Sequence, residues 1–152
     1  MDELDLQILK KLGENAKLTY HEIAKMLKTP TSTIHFRIKK LVEEKIIERF
    51  SSIIDVTKLG YETVGWVGIT MDPLKTDEIA NKIASFEEVR IVSITGGAHN
   101  LVVQILVKNE KELWNFIREN IQIIDGVQNI DVSSSLKVFK WEPYYFFNIP
   151  EK

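Results

Sequence analysis

The stretch Thr31 to Glu44, TSTIHFRIKKLVEE, constrains the chain most, because its apolar and polar residues separate onto two sides only if it is an α-helix. Ile34, Ile38, Leu41 and Val42 recur at helical spacing and make one apolar stripe. At about 100° per residue, Ser32, Phe36 and Lys39 fall on the opposite side, flanked by Thr33, His35 and Lys40. That outward face offers hydroxyls, an imidazole, an aromatic ring and ammonium groups, and no acid interrupts it before Glu43. Short donors near the helix start and cations further along suit a helix lying in a DNA major groove, where small side chains meet base edges and lysines meet phosphates. A solvated helix in an ordinary bundle would show the same two faces, so the neighbouring sequence decides between them.

Leu4, Ile8, Leu9 and Leu12 follow an acidic start, and Gly13 supplies a stop, which predicts a first helix over residues 3–12. Thr19 followed by Glu22 fits a capping box, opening a short second helix that buries Ile23, Ala24 and Leu27 and ends near Lys28. Thr29 and Pro30 then break the pattern, since proline lacks an N–H but is well placed at the start of the next helix. A short helix, a brief turn and an amphipathic basic helix together spell helix-turn-helix. Ser32, Thr33, His35 and Phe36, with Thr31 at the helix start, are the base-edge candidates; Lys28, Arg37, Lys39, Lys40 and Arg49 are the phosphate candidates. Arg37 sits nearer the buried stripe, and bracing the domain is its alternative role.

Charge supports this placement. The net charge of −2 argues against a general polyanion binder, yet residues 1–50 hold 10 Lys and Arg against 8 Asp and Glu, and Lys25 to Lys40 contains five cations and no acid. Exposed charge acts over about a Debye length, roughly 8 to 10 Å, so a local patch steers binding in a slightly acidic protein. The chain has no cysteine, which removes disulfides, thiolate catalysis and the usual structural zinc sites. His21 and His35 have no i+4 histidine, and neither a GxxxxGK[ST] nor a GxGxxG loop is present, so no cofactor or metal is expected. The N-terminus, MDELDLQIL, carries acids where a signal peptide needs cations, and no apolar run approaches a membrane span; a cytoplasmic protein is expected.

The run Ile23 to Arg49 (IAKMLKTPTSTIHFRIKKLVEEKIIER) resembles the winged helix-turn-helix of the Lrp/AsnC, or feast/famine, family of transcription regulators. LDLQILKKLGENAKLTYHEIAKML resembles that family's first two helices, Arg37 to Leu41 the end of its recognition helix, and Leu59, Gly60, Tyr61 its Leu-Gly-Tyr. Lys45 replaces the family's usual turn glycine, a departure that strains the turn and adds a cation. The resemblance implies a sequence-specific regulator, non-enzymatic and homo-oligomeric as a dimer or larger assembly, reading near-palindromic double-stranded DNA under the influence of a small-molecule effector such as an amino acid. The expected layout is a DNA-binding domain over residues 1–50, a linker strand and connector over 51–62, an effector and oligomerisation domain over 63–140 and an aromatic tail over 141–152.

The second half reads as α+β. Ser51 to Ile54 is expected as a short strand. Strands are predicted at 63–71 (TVGWVGITM), 89–95 and 101–107 (LVVQILV), with a last one in which Ile130, Val132, Leu136 and Val138 alternate with polar residues. One helix carries Ile79, Ile83 and Phe86; another is capped by Asn109 with Glu112 at its third position and buries Leu113, Phe116 or Ile117, and Ile121. The order βαββαβ makes a ferredoxin-like sandwich, with two helices on one sheet face. The other face would expose Trp66, Val92 or Val102 according to register, and oligomerisation would hide it. The aromatic tail, WEPYYFF, is expected to pack on its own domain or on a partner subunit.

The loop Gly96, Gly97, Ala98, His99, Asn100 aligns with the family's Gly-Asp-x-Asp-Tyr, which contributes to an effector pocket between subunits. Its acids are missing, and the family's threonines of the last strand read Ile130 and Val132. The two glycines still expose N–H groups for a carboxylate, so a different acidic ligand, a ligand held by main-chain groups, or none are the three outcomes. The rival readings are a sirohaem decarboxylase built on the same two domains and a metabolite-binding assembly module without DNA activity. The acid-free outward helix face favours DNA over either, and His99 lacks a companion nucleophile or acid in sequence.

Overall fold

Three of the helices start where a side chain satisfies one of the first backbone N–H groups. The computed structural model describes residues 1–139. The aromatic run at 141–147 lies outside the described residues. Residues 1–54 and 55–139 form two compact units.

In the first unit, α1 (Glu3–Glu14) opens on a reciprocal box in which Asp2 accepts from the Asp5 N–H at 3.1 Å and Asp5 accepts from the Asp2 N–H at 2.9 Å. It runs through Gly13, past the expected end at residue 12, because one helical glycine costs only about 1 kcal/mol and the turn it belongs to packs Leu12 on the core. The Thr19–Glu22 box opens α2 (Tyr20–Met26), with the Glu22 N–H reaching Thr19 Oγ1 at 3.2 Å and the Thr19 N–H reaching Glu22 Oε2 at 2.7 Å. After Pro30 comes α3 (Thr31–Glu43). Both α2 and α3 end in the same motif. The Thr29 N–H bonds Ala24 O and the Lys28 N–H bonds Lys25 O after α2; the Ile46 N–H bonds Leu41 O and the Lys45 N–H bonds Val42 O after α3. Each motif needs a left-handed residue, and these are Lys28 (φ 50°) and Lys45 (φ 56°). Ile8, Ile23, Ala24, Ile34, Ile38 and Leu41 form the core, and each fully buried aliphatic contributes roughly 1.5–3 kcal/mol. Val42, expected in the stripe, is 42% exposed; one residue past Leu41, it is rotated about 100° off the buried line.

The expected strand at residues 51–54 does not form, and no strand-built wing follows α3 among the described residues; Ile53 and Ile54 are exposed. A strand needs a hydrogen-bonding neighbour, and this stretch has none among the described residues.

The second unit is an antiparallel sheet of β1 (Thr63–Met71), β2 (Val89–Ile94), β3 (Leu101–Val107) and β4 (Val127–Ser134) in the order β2-β3-β1-β4. Two helices, α4 (Thr76–Ala84) and α5 (Glu110–Phe116), pack Ile79, Ile83, Leu113 and Phe116 on Val67, Ile69, Leu101, Val103 and Ile105. Asn109 caps α5 by accepting from the Glu112 N–H at 2.9 Å. The helix then widens into a π-turn, Ile117–Ile121, and Phe116 and Ile117 are both buried. Register resolves the open face. Trp66 sits opposite Gln104 and Gly68 opposite Val102 on the side away from the helices, whereas Val92 pairs with Val103 and packs in the core. β4 stops at Ser134, opposite Gly65, with one further bond from the Ser135 N–H to Val64 O at 2.9 Å, and Leu136 (97% exposed) and Val138 do not continue the expected alternation.

Candidate nucleic-acid interface and effector loop

Burial of Ile34, Ile38 and Leu41 fixes the rotation of α3, and this leaves Thr31, Ser32, His35, Phe36, Lys39 and Lys40 exposed, with Thr33 half-buried. Phe36 is 63% exposed, a large apolar ring on an otherwise polar surface. No acid and no side-chain cap occupies the first turn, so its leading N–H groups remain open to an anion. Lys39 and Lys40 reach Glu43 and Glu44 at 3.7 and 3.6 Å; these are exposed pairs that solvent screens. Lys28 and Arg49 are exposed.

Arg37 differs from the other cations. Its guanidinium bridges Asp2 at 2.6 Å and Asp5 at 3.2 Å, and the Asp5 side chain is only 7% exposed. Hydrogen bonding to Asp2 holds the Arg37 pKa above its ordinary value, and the Asp5 backbone N–H, helped by Arg37, holds Asp2 below the usual carboxylate range. Arg37 therefore ties α3 to the start of α1, the bracing role that was its alternative in the sequence. The reading of the sequence missed Tyr20, whose ring meets His35 edge-on at 5.1 Å and 69°. Its position directly after a capping threonine marks it as the first residue of α2, but nothing in the spacing says that it reaches α3.

At the loop, Gly96, Gly97 and Ala98 are exposed and Asn100 is an anchor. The Asn100 side chain accepts from the Met71 N–H at 3.1 Å, its own N–H bonds Ile69 O at 3.0 Å, and its carbonyl accepts from the Thr95 N–H at 2.9 Å. His99 does not point outward from the loop. Its ring lies against Gly68 on the open sheet face, where any Cβ would strike it, and its Nδ1 stands 3.5 Å from the Asp131 carboxylate. Nδ1 is buried with no hydrogen-bond partner among the described residues. Asp131 comes from β4, two residues along from Asn129, whose side chain donates to it at 2.9 Å. Ile130 and Val132 lie on the other face, lining a groove of about 600 Å³ with Trp114, Ile117, Arg118 and Gln122. Among the described residues no three His, Asp or Glu side chains gather as metal ligands, and no helix is long and apolar enough to cross a membrane.

A helix-turn-helix head with an open cationic face, joined to a βαββαβ unit, defines a DNA-binding transcription regulator with a ligand-binding domain. An AsnC-type helix-turn-helix domain is matched over residues 1–42 and an Lrp/AsnC ligand-binding domain over residues 65–145. The chain belongs to the Lrp/AsnC family of transcription regulators. It is 36% identical over 141 residues, 93% of this chain and 89% of the other, to PH0140, described as an uncharacterized HTH-type transcriptional regulator of Pyrococcus horikoshii. The crystal structure of PH0061, also from Pyrococcus horikoshii, superposes with a TM-score of 0.84 at 36% identity, covering 94% of this chain and 97% of that one. The same fold occurs in the regulator NMB0573 of Neisseria meningitidis, solved as a complex with L-Met, at a TM-score of 0.88 and 20% identity over 93% of each chain.

Proposed function

We propose that the protein reads a near-palindromic duplex as a homo-oligomer, through Thr31, Ser32, Thr33, His35 and Phe36 at base edges and Lys28, Lys39, Lys40 and Arg49 at phosphates. The observation that carries this reading is the exposed outward face of α3: hydroxyl, imidazole, aromatic ring and ammonium, with no acid before Glu43. Phe36 suits a thymine methyl and the short hydroxyls suit base edges. Two copies related by a two-fold axis would meet half-sites about one helical turn apart. The open face of the sheet, with half-buried Val64, Trp66 and Val102, is the surface that supports pairing of copies.

The effector of this reading is a small zwitterion such as an amino acid. Asp131 offers a carboxylate to its ammonium, while the His99 imidazole and the N–H groups of exposed Gly96 and Gly97 face its carboxylate. The L-Met complex of NMB0573 supports that chemical class. Enrichment of random duplexes on the purified protein is expected to yield an inverted-repeat consensus; recovery of no consensus would overturn the specific-readout reading. Thermal shift against a panel of amino acids is expected to single out one or a few. Silence across the panel, with duplex binding unaltered, would sink the effector.

A further inference from the structure

Among the described residues only two that are not glycine have positive φ, and both are lysines, Lys28 at 50° and Lys45 at 56°. They occupy equivalent places. Each is the left-handed residue that closes a helix in the DNA-binding unit, and together they bracket α3, one three residues before Thr31 and the other two residues after Glu43. Glycine fits such a position without steric penalty, whereas a Cβ there meets the neighbouring carbonyl oxygen. Strained residues persist where function keeps them. The side chains give the reason for lysine. Both are exposed, and neither ammonium has a partner among the described residues, unlike Lys39 and Lys40 with their glutamates.

A cation near a helix C-terminus also favours the helix dipole, but α2 and α3 already carry Lys25 and Lys40 in their last turns, where no left-handed backbone is needed. We propose that Lys28 and Lys45 are a pair of phosphate clamps on either side of the recognition helix, retained at glycine positions for their charge. α3 spans roughly 20 Å at about 1.5 Å per residue, so the two ammonium groups are placed to meet backbone phosphates beyond its two ends. This rests on DNA binding by the helix-turn-helix unit and adds Lys45 to the groups that touch the duplex.

The test uses the full-length chain with K28G, K45G and the double variant, and K28R and K45R as charge-keeping controls. Two quantities are measured: Tm, and affinity over a salt series for a random-sequence duplex about three helical turns long. In the glycine variants Tm is expected to hold or rise by a few degrees while affinity falls. The slope of log affinity against log salt should flatten by about 0.9 for each phosphate that a bound copy no longer neutralises. The arginine variants should keep the slope. An unchanged slope in either glycine variant overturns the pairing, and a lowered Tm with an unchanged slope assigns the charge to the helix ends instead. Wild-type protein that binds no duplex at any salt would overturn the DNA reading beneath the proposal, an outcome distinct from both.

Discussion

If His35 reads a base edge, its accuracy depends on Tyr20. The tyrosine ring holds the imidazole edge-on at 5.1 Å, and its removal by Tyr20→Ala frees His35 to rotate without touching the DNA-facing atoms. An aromatic pair of this geometry is worth about 0.5–1.5 kcal/mol, and since Tyr20 is 42% exposed the lower half applies, about 0.5–1 kcal/mol. At about 1.4 kcal/mol per tenfold, this is a two- to fivefold loss of preference at the one base position that His35 addresses. The assay is enrichment of random duplexes on wild type, Tyr20→Ala, His35→Ala and the double variant, followed by competition titrations at the changed position. Both single variants should relax the same position, and the double variant should relax it no further than His35→Ala alone. A uniform loss of affinity with an unaltered base profile, or fully additive effects, would refute the argument that Tyr20 acts through His35.

Arg37→Gln should lower the Tm, because it strips the nearly buried Asp5 of its cation, yet leave the salt slope of duplex binding unchanged; a flattened slope would return Arg37 to the phosphate-binding set. Gly65→Ala places a methyl 2.6 Å from Leu113 Cδ1 and should destabilise the second unit by about 1–3 kcal/mol, with Leu113→Ala in the same chain costing less than it does alone, as chemical denaturation would show. Glu22 is held below its ordinary value of 4.5, first by the Thr19 backbone N–H and then by the Thr19 hydroxyl. Its folded pKa is the lower one, so the stability it contributes is full above pH 4.5 and is lost as the pH falls through the folded value. Glu22→Gln should flatten that acid limb of Tm against pH, and an unchanged limb would refute the linkage.

Local chemistry in the chain was readable wherever a few adjacent residues decide the outcome. Thr19 with Glu22 and Asn109 with Glu112 announce helix starts because a cap is made by residues three apart. The β1 and β3 ranges follow from β-rich runs bounded by Asp72-Pro73 and by the glycine loop. What depends on residues far apart was not readable. Arg37 finds Asp5 across 32 residues of sequence, and His99 finds Gly68 and Asp131 only because the register aligns Gly68 with Asp131. The alternation of Leu136 and Val138 suggested more strand, but alternation does not record where pairing stops, and pairing with β1 stops opposite Gly65. Phe116 and Ile117 are both buried, at the point where the helix changes pitch, which no 3.6-residue template anticipates.

Asn100 and Thr95 give the loop a further property. With Asn100 fastened to Ile69 and Met71, and Thr95 joined to Asn100 and to the His99 carbonyl, both ends of the loop belong to the sheet, and only Gly96, Gly97 and Ala98 stand clear of it. Those three residues form an interchangeable cassette. Neither glycine there needs positive φ, and a Cβ added to either meets nothing, so the cassette can be lengthened, charged or rewritten without disturbing the strands that carry it. Under the effector reading proposed above, ligand choice can in this way drift on a fixed scaffold, one tripeptide at a time, while the DNA-reading head stays as it is.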